Sequence, residues 1–203
     1  MADFKMTKNG LRSQELLLKQ LNNYLPTLQL KKTLLQVEVN NSKAQINTLL
    51  DSFNKKKEEI YEYSHLLSLD FEIDPTKYLE IKHIDKTYEN IAGVELAKFQ
   101  KILFSKLDYF LFDSSPWTDS IIEKLKELIE LKEKINIEKE KYRALKKELI
   151  DVSIRVNLFE KILIPKTLKN IKKIKIFLSD QELAAISQAK VAKLKIEKAK
   201  QKL

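Results

Sequence analysis

The chain has 203 residues, of which 33% are charged, and its formal net charge is +9. It contains no cysteine, which excludes disulfide scaffolds, thiolate metal sites and cysteine nucleophiles and fits a reducing compartment. It has only two glycines and four prolines, whereas ordinary domains average about 7% Gly. We therefore expect few tight loops and long uninterrupted helices.

The sequence shows no segment that is typical of membrane insertion. The N-terminal stretch MADFKMTKNG has no apolar region of a signal peptide, and no window approaches a membrane span. The positive charge could indicate that the chain binds nucleic acid. However, every Lys or Arg residue except Arg12, Arg143 and Arg155 is a lysine. Because bidentate recognition of phosphates and bases favours arginine, we expect solvated lysine faces and no nucleic-acid partner.

The first predicted element is a long helix with a heptad seam. Alternating steps of three and four residues from Leu18 to Leu67 meet apolar side chains at twelve of fifteen positions. The fifteen seam positions are Leu18, Leu21, Leu25, Leu28, Lys32, Leu35, Val39, Ser42, Ile46, Leu49, Phe53, Lys56, Ile60, Tyr63 and Leu67. A seam of this length predicts a coiled coil, about 75 Å long at 1.5 Å per residue.

The middle of the chain, residues 70–115, has a different pattern. Apolar residues alternate with polar ones on both sides of the stretch Asn90–Gly93, which predicts a β-hairpin over about residues 79–103. A helix over residues 95–112 is an alternative, because four apolar residues also fit a helical stripe, namely Leu96, Phe99, Leu103 and Leu107.

A second helix is predicted from Pro116 onwards. Ser115 is a suitable N-cap, Pro116 suits the first helical position, and Asp119 favours the first turn. Its seam is apolar at eleven of thirteen positions, namely Ile121, Lys124, Leu128, Leu131, Ile135, Glu138, Tyr142, Leu145, Leu149, Val152, Val156, Phe159 and Leu163.

The heptad pattern changes phase after Pro165, because the apolar residues that follow are out of step with the earlier seam. These residues are Leu168, Ile171, Ile174 and Leu178. A proline inside a helix costs roughly 3 kcal/mol, so Pro165 indicates a bend or a break at this change of register. The numbers of Pro26 and Pro165 add to 191, as do those of Pro75 and Pro116. An antiparallel hairpin would therefore place the members of each pair at the same level.

These patterns predict a mainly α fold, an antiparallel two-helix coiled coil with a short middle cap segment that contains a β-hairpin. The expected divisions are residues 1–69 for the first long helix, 70–115 for the cap segment and 116–203 for the second helix. The termini then lie together at the end opposite the cap.

No arrangement of residues indicates catalysis, a cofactor or a metal. Two glycines cannot build a phosphate-binding loop, and His65 and His83 lack metal-ligand spacing, so we expect structural roles for both. Trp117 is interpreted as a packing anchor. We therefore predict a non-catalytic chain without cofactors.

The C-terminal stretch SQAKVAKLKIEKAKQKL carries six lysines and one glutamate. It is either a solvated helix end or a basic tip that electrostatic attraction guides into an acidic or carbonyl-lined cavity. In the second case the contacts would involve Lys190, Lys193, Lys195 and Lys198.

Three segments resemble the D subunit of the V-type and archaeal A-type rotary ATPases. The most specific is VSIRVNLFEKILIPKTLKNIKKI, residues 152–174, and the others are YENIAGVE and TKNGLRSQELLLKQL. The positions that match the family signature are Arg155, Val156, Asn157, Phe159, Glu160, Lys161, Ile164 and Pro165. The chain departs from the family at Lys31, Lys32 and Thr33, where many members carry a K-R-D run, so contacts of that stretch are not transferred.

The resemblance implies a central rotor shaft that couples ATP hydrolysis or synthesis to ion transport through a membrane ring. The implied partners are the nucleotide-binding A and B subunits, the small F subunit and the funnel subunit above the ring. The implied location is cytoplasmic and peripheral to the membrane. The alternatives are an ATP-independent prefoldin-like chaperone, which also joins coiled-coil helices through β-hairpins, and a coiled-coil adaptor.

Overall fold

The computed structural model of the chain describes residues 5–62, 79–105 and 118–200. These residues are mainly helical, with an antiparallel hairpin in the middle, as predicted. The elements are α1 (Lys8–Glu62), β1 (Ile81–Ile91), β2 (Val94–Phe104), α2 (Thr118–Leu158), a π-helical turn (Phe159–Leu163) and α3 (Ile164–Lys200). We call Phe159–Leu163 the wide turn, because a π-helical turn holds more residues than an α-helical one.

The chain forms two compact units. The terminal unit comprises Met1–Leu30 and Val152–Leu203, and the central unit comprises Lys31–Asp151. The predicted division points near residues 69 and 115 lie outside the described residues, so that division stays a prediction.

Helix α1 begins with a side-chain cap. The backbone N–H of Gly10 donates a hydrogen bond to Thr7 Oγ1 at 3.1 Å, and the N–H of Leu11 donates to the Thr7 carbonyl at 2.8 Å. The Thr7 hydroxyl thereby satisfies the Gly10 N–H, which has no backbone partner in the first turn, and the Thr7 carbonyl accepts the first regular α-helical hydrogen bond. A Cβ atom at Gly10 would lie 2.0 Å from the Lys5 carbonyl oxygen, so the chain can approach this closely only because residue 10 is glycine.

Both heptad seams are confirmed over the described residues. Every seam position from Leu18 to Ile60 in α1, and every one from Ile121 to Leu163, is buried or half-buried. The side chains of Leu35 and Leu145 are fully buried. The last two positions of the first seam and the predicted helix start with Trp117 lie outside the described residues, as does His65.

In the central unit, α1 and α2 run antiparallel. Lys31 Nζ donates a hydrogen bond to Glu148 Oε1 at 2.7 Å, and farther along α1 Lys56 pairs with Glu127. Residue numbers thus rise along one helix as they fall along the other. The Lys31–Glu148 pair is two-thirds buried, so solvent screens it less than the exposed pairs.

The predicted β-hairpin is confirmed, and the helical alternative is wrong for residues 95–104, which form β2. Ala92 and Gly93 form the two-residue turn, with φ values of 52° and 83°. Positive φ at both positions is typical of a type I′ turn, whose twist matches that of the two strands. Asn90 Oδ1 accepts a hydrogen bond from the Gly93 N–H at 2.9 Å, which holds the turn.

The hairpin packs against the side of α2. Lys134 Nζ lies 5.0 Å from the centre of the Phe99 ring, and Lys126 Nζ lies 5.7 Å from that of Phe104. Ile122 and Ile137 of α2 are buried although they lie outside the seam. The buried surface of α2 is therefore wider than its heptad seam, which the heptad pattern did not predict.

Across the hairpin, Lys98 Nζ donates a hydrogen bond to Glu89 Oε1 at 2.9 Å. This hydrogen bond, together with the positive charge of Lys98, lowers the pKa of the exposed Glu89 carboxyl below its usual value. The strand pairing has two irregularities, between Ile81 and His83 and between Asp85 and Lys86. Such bulges increase the local twist of a two-stranded ribbon.

In the terminal unit, α1 and α3 also run antiparallel. Lys8 Nζ lies 3.8 Å from Glu182 Oε1, and Lys175 Nζ lies 3.1 Å from Glu15 Oε1. The residue numbers of each pair add to 190. Pro26 and Pro165, whose numbers add to 191, therefore lie at about the same level of this unit. Pro75 and Pro116 lie outside the described residues.

Neither of these two prolines ends a helix. Pro26 lies inside the continuous helix α1, and Pro165 is the second residue of α3, directly after the wide turn. The predicted change of phase after Pro165 is present, and Leu168 lies outside the seam, because its side chain is 49% exposed while that of Thr167 is 4% exposed. Thr167 is satisfied in this position, since its hydroxyl donates to the Leu163 carbonyl at 2.8 Å.

Candidate interaction surface

The signature residues are distributed over the end of α2, the wide turn and the start of α3. Arg155, Val156 and Asn157 belong to α2, while Phe159, Glu160 and Lys161 belong to the wide turn. Ile164 and Pro165 begin α3. These eight positions thus form one continuous helical segment of the terminal unit.

The signature has an inner and an outer face. Val156 is buried, and Phe159, Ile164 and Pro165 are half-buried, so the apolar members support packing. The polar members are all exposed, and they are Arg155, Asn157, Glu160 and Lys161. The outer face is therefore the one that a partner can reach.

A groove follows the wide turn along α3. Its lining side chains share one helical surface and are Lys161, Ile162, Pro165, Lys166, Lys169, Asn170, Lys172, Lys173 and Ile176. Ile162 and Ile176 are exposed, so the groove combines apolar contact area with lysine side chains. The residue pattern does not predict this groove, because the groove depends on the shape of the wide turn.

The surface around the groove is strongly basic. Residues 161–179 contain six lysines and no acidic residue. Lys175 pairs with Glu15, whereas no ion pair involves the other five lysines within the described part of the chain. Their summed positive potential favours an acidic partner. The signal in the sequence was the absence of acidic residues between Glu160 and Asp180.

The predicted basic tip lies at the end of α3 and is exposed. Every side chain described from residue 179 to 198 is exposed, including Lys190, Lys193, Lys195 and Lys198. Lys193 Nζ lies 4.0 Å from Glu197 Oε1 in the same helix. Because Glu182 is at the level of Lys8 near the start of α1, α3 continues beyond that start for about 27 Å at 1.5 Å per residue.

The tip is apolar as well as basic. Three large apolar side chains of the tip, Val191, Leu194 and Ile196, are between 51% and 58% exposed. Leu183 and Ile186, just before the tip, are 60% and 52% exposed. A series of exposed apolar side chains is typical of a surface that contacts another protein. The tip can therefore contribute both charge and apolar area to an interface.

The described residues show no arrangement for metal chemistry or membrane insertion. They contain no group of three or more His, Cys, Asp or Glu side chains that could hold a metal ion. Among the described helices, none is long and apolar enough to cross a bilayer. His83 lies in β1 with its Nε2 atom 3.3 Å from Asp85 Oδ1, and its side chain is exposed.

Comparison with known proteins identifies the family. The family model for the ATP synthase D subunit matches residues 10–194. The V-type ATP synthase D subunit of Chlamydia abortus is 40% identical over 198 residues, which cover 97% of this chain and 95% of that protein. The corresponding protein of Chlamydia pneumoniae is 42% identical over 194 residues, covering 95% and 93%. That of Chlamydia muridarum is 39% identical over 201 residues, covering 98% and 99%. Since the family model and these relatives cover nearly the whole length, the chain belongs to the family of ATP synthase D subunits.

Proposed function

We propose that the chain is the central rotor shaft of a V-type or A-type rotary ATPase or ATP synthase. In this role it couples ATP hydrolysis or synthesis in a hexamer of A and B subunits to ion transport through a membrane ring. The observation that carries the proposal is the exposed end of α3, which continues past the start of α1 with basic and apolar side chains on its surface.

The heptad seams support a mechanical role. Torque is transmitted only if the two helices resist bending and twisting against each other. Side chains such as Leu35 and Leu145 are fully buried along the seams, so any relative sliding of the helices would expose apolar surface. The chain itself is proposed to be non-catalytic and to act through its surface and its stiffness.

The tip and the groove are the proposed contacts with the hexamer. The lysines at positions 190, 193, 195 and 198 would meet acidic or carbonyl-lined surfaces of the A and B subunits, and the exposed apolar residues would pack inside them. Five further lysines beside the groove continue the same positive surface towards the wide turn. An off-axis bend at the level of Pro26 and Pro165 would let rotation open the catalytic interfaces in turn.

The remaining partners are assigned to other surfaces. The F subunit and the funnel subunit are proposed to bind the part of the chain between the long helices and the helix portions beside it. Such a shaft is peripheral to the membrane on the cytoplasmic side and inserts no helix of its own. Neither nucleic acid nor a cofactor is required.

Reconstitution tests the proposal. The full chain is mixed with purified A, B and F subunits, and a bead attached to the chain is followed during ATP hydrolysis. Stoichiometric assembly and ATP-dependent rotation are expected. Failure to assemble, or ATP hydrolysis without bead rotation, would reject the shaft. Protection of an unfolded client protein from aggregation by the chain alone would favour the prefoldin-like alternative instead.

A further inference from the structure

The seam of the terminal unit contains one residue too many for a regular heptad pattern. The positions that continue the seam are all buried or half-buried, and they are Val152, Val156, Phe159, Leu163, Thr167, Ile171, Ile174 and Leu178. The steps between them are four, three, four, four, four, three and four. A regular seam alternates fours and threes, so one residue is inserted between Leu163 and Thr167.

An inserted residue should turn all later side chains away from the partner helix. Relative to a regular heptad winding, one extra residue advances every later side chain by about 100°, so Ile171, Ile174 and Leu178 would leave the seam if that winding continued unchanged. They are nevertheless buried or half-buried. The helix therefore takes up the extra residue before them, either by a local change of supercoil or by a turn that holds one more residue.

The wide turn lies at this point. The N–H of Ile164 donates to the carbonyl of Phe159, five residues earlier, instead of four as in an α-helix. One turn therefore takes up one more residue than its neighbours. After it, α3 presents its seam residues to the same side as α2 does.

The wide turn also accommodates Pro165. In a regular α-helix the proline ring would clash with the carbonyl of Lys161, four residues earlier, and that carbonyl would lose its hydrogen bond. Two explanations for the wide turn thus compete: the proline and the inserted residue. The buried positions after the turn favour the inserted residue, because the proline alone does not require a change of seam phase.

We propose that the inserted residue between Leu163 and Thr167 creates the wide turn, and that the wide turn restores the register of the seam. The same turn is then the least stable helical turn of the terminal unit. The Ile164 N–H donates to Phe159 instead of Glu160, and Pro165 has no N–H for Lys161, so the Glu160 and Lys161 carbonyls lose their regular α-helical donors. Both residues are exposed to water, which favours local opening. The helix opens at this turn first, and α3 can rotate about its axis relative to the end of α2. The inference concerns this chain alone and does not depend on the proposed function.

Hydrogen exchange on the full-length chain tests the proposal with two variants. Pro165→Ala removes the proline but keeps the inserted residue, whereas deletion of Pro165 removes both. With the deletion, the steps around the site become four, three, four, three, four, three and four. In the unaltered chain, amides of residues 160–167 should exchange at least about tenfold faster than those of residues 145–152.

The two variants are expected to behave differently. Pro165→Ala should keep the fast exchange, and deletion of Pro165 should slow it to the rate of the flanking helix and raise the melting temperature. Loss of the fast exchange in Pro165→Ala would show that the proline causes the wide turn and would overturn the proposal. Persistence of fast exchange after the deletion, or loss of helical circular dichroism, would also overturn it.

Discussion

At the scale of single residues, the most demanding backbone position is the turn of the hairpin. Ala92 has a φ of 52°, a conformation that costs a residue with a Cβ atom about 1–2 kcal/mol. Gly93, with a φ of 83°, adopts it without that cost. Of the two turn residues, only Gly93 is therefore suited to the positive φ that the turn requires.

We expect Ala92→Asn to stabilise the hairpin by roughly 0.5–1 kcal/mol, because asparagine tolerates positive φ and is favoured at the first position of a type I′ turn. Hydrogen exchange of the hairpin amides measures this effect. Ala97→Asn, inside β2 and away from the turn, is the control and should not stabilise. Equal gains in both variants would mean that the turn geometry is not responsible.

At the scale of secondary-structure elements, the docking of the hairpin on α2 depends on one face of the hairpin. Phe99 is half-buried beneath Lys134, while Tyr88 in the neighbouring strand is 72% exposed. Two aromatic side chains of similar size therefore occupy opposite environments in one hairpin, which provides a matched comparison.

Phe99→Ala should destabilise the hairpin by about 2–3 kcal/mol, since it removes a packed ring and its contact with a lysine. Tyr88→Ala should change stability by less than about 0.5 kcal/mol, as expected for an exposed position. Limited proteolysis of residues 81–104 reports the undocked hairpin. Similar cleavage of both variants would argue against docking through Phe99.

The pairing of α1 with the helical segment around the wide turn gives a second test at this scale. The absence of native cysteines makes the chain suitable for crosslinking. The register of the terminal unit places Leu28 and Leu163 at about the same level, and both are half-buried seam positions.

A chain carrying Leu28→Cys and Leu163→Cys should form an intramolecular disulfide under mild oxidation, because disulfides require Cα atoms within about 7 Å. The control combines Leu28→Cys with Val156→Cys, one heptad away, and should remain reduced. Gel mobility after oxidation measures both. Crosslinking of the control alone would place the register one heptad away.

At the scale of the whole molecule, charge is distributed unevenly along the chain. The net charge of +9 is concentrated in part towards the C-terminus, where residues 161–179 carry lysines without any acidic residue and residues 187–203 carry six lysines and one glutamate. Exposed charges of one sign accelerate association with an oppositely charged partner, and salt weakens this effect.

Replacing Lys190, Lys193, Lys195 and Lys198 by Gln should slow association with the proposed A and B hexamer by at least about tenfold at low salt, and less at high salt. Stopped-flow mixing at several salt concentrations measures the rate. A variant with Lys55 and Lys57 of α1 replaced by Gln is the control for a general loss of positive charge. Equal slowing in both variants would exclude a specific role of the tip.

The sequence by itself determined the features that depend on local periodicity and local chemistry. Heptad spacing is a property of the chain alone, and it correctly identified the seam residues from Leu18 to Ile60 and from Ile121 to Leu163. Alternation around Asn90–Gly93 identified the hairpin, because few sequences satisfy a two-residue turn with positive φ. The RVNLFEKILIP segment was sufficient to indicate the family.

Only the tertiary structure decided which residues outside the predicted seams are buried or in contact with another element. The docking of the hairpin on α2 depends on contacts such as Phe99 with Lys134, between segments far apart in sequence. The burial of Thr167 in place of Leu168 was equally inaccessible, because the sequence shows that the phase slips but not which turn absorbs the slip. The wide turn loses regular α-helical hydrogen bonds, but it lets the seam residues after it remain buried. The burial of these residues offsets the lost hydrogen bonds only when α1 is present to cover the seam.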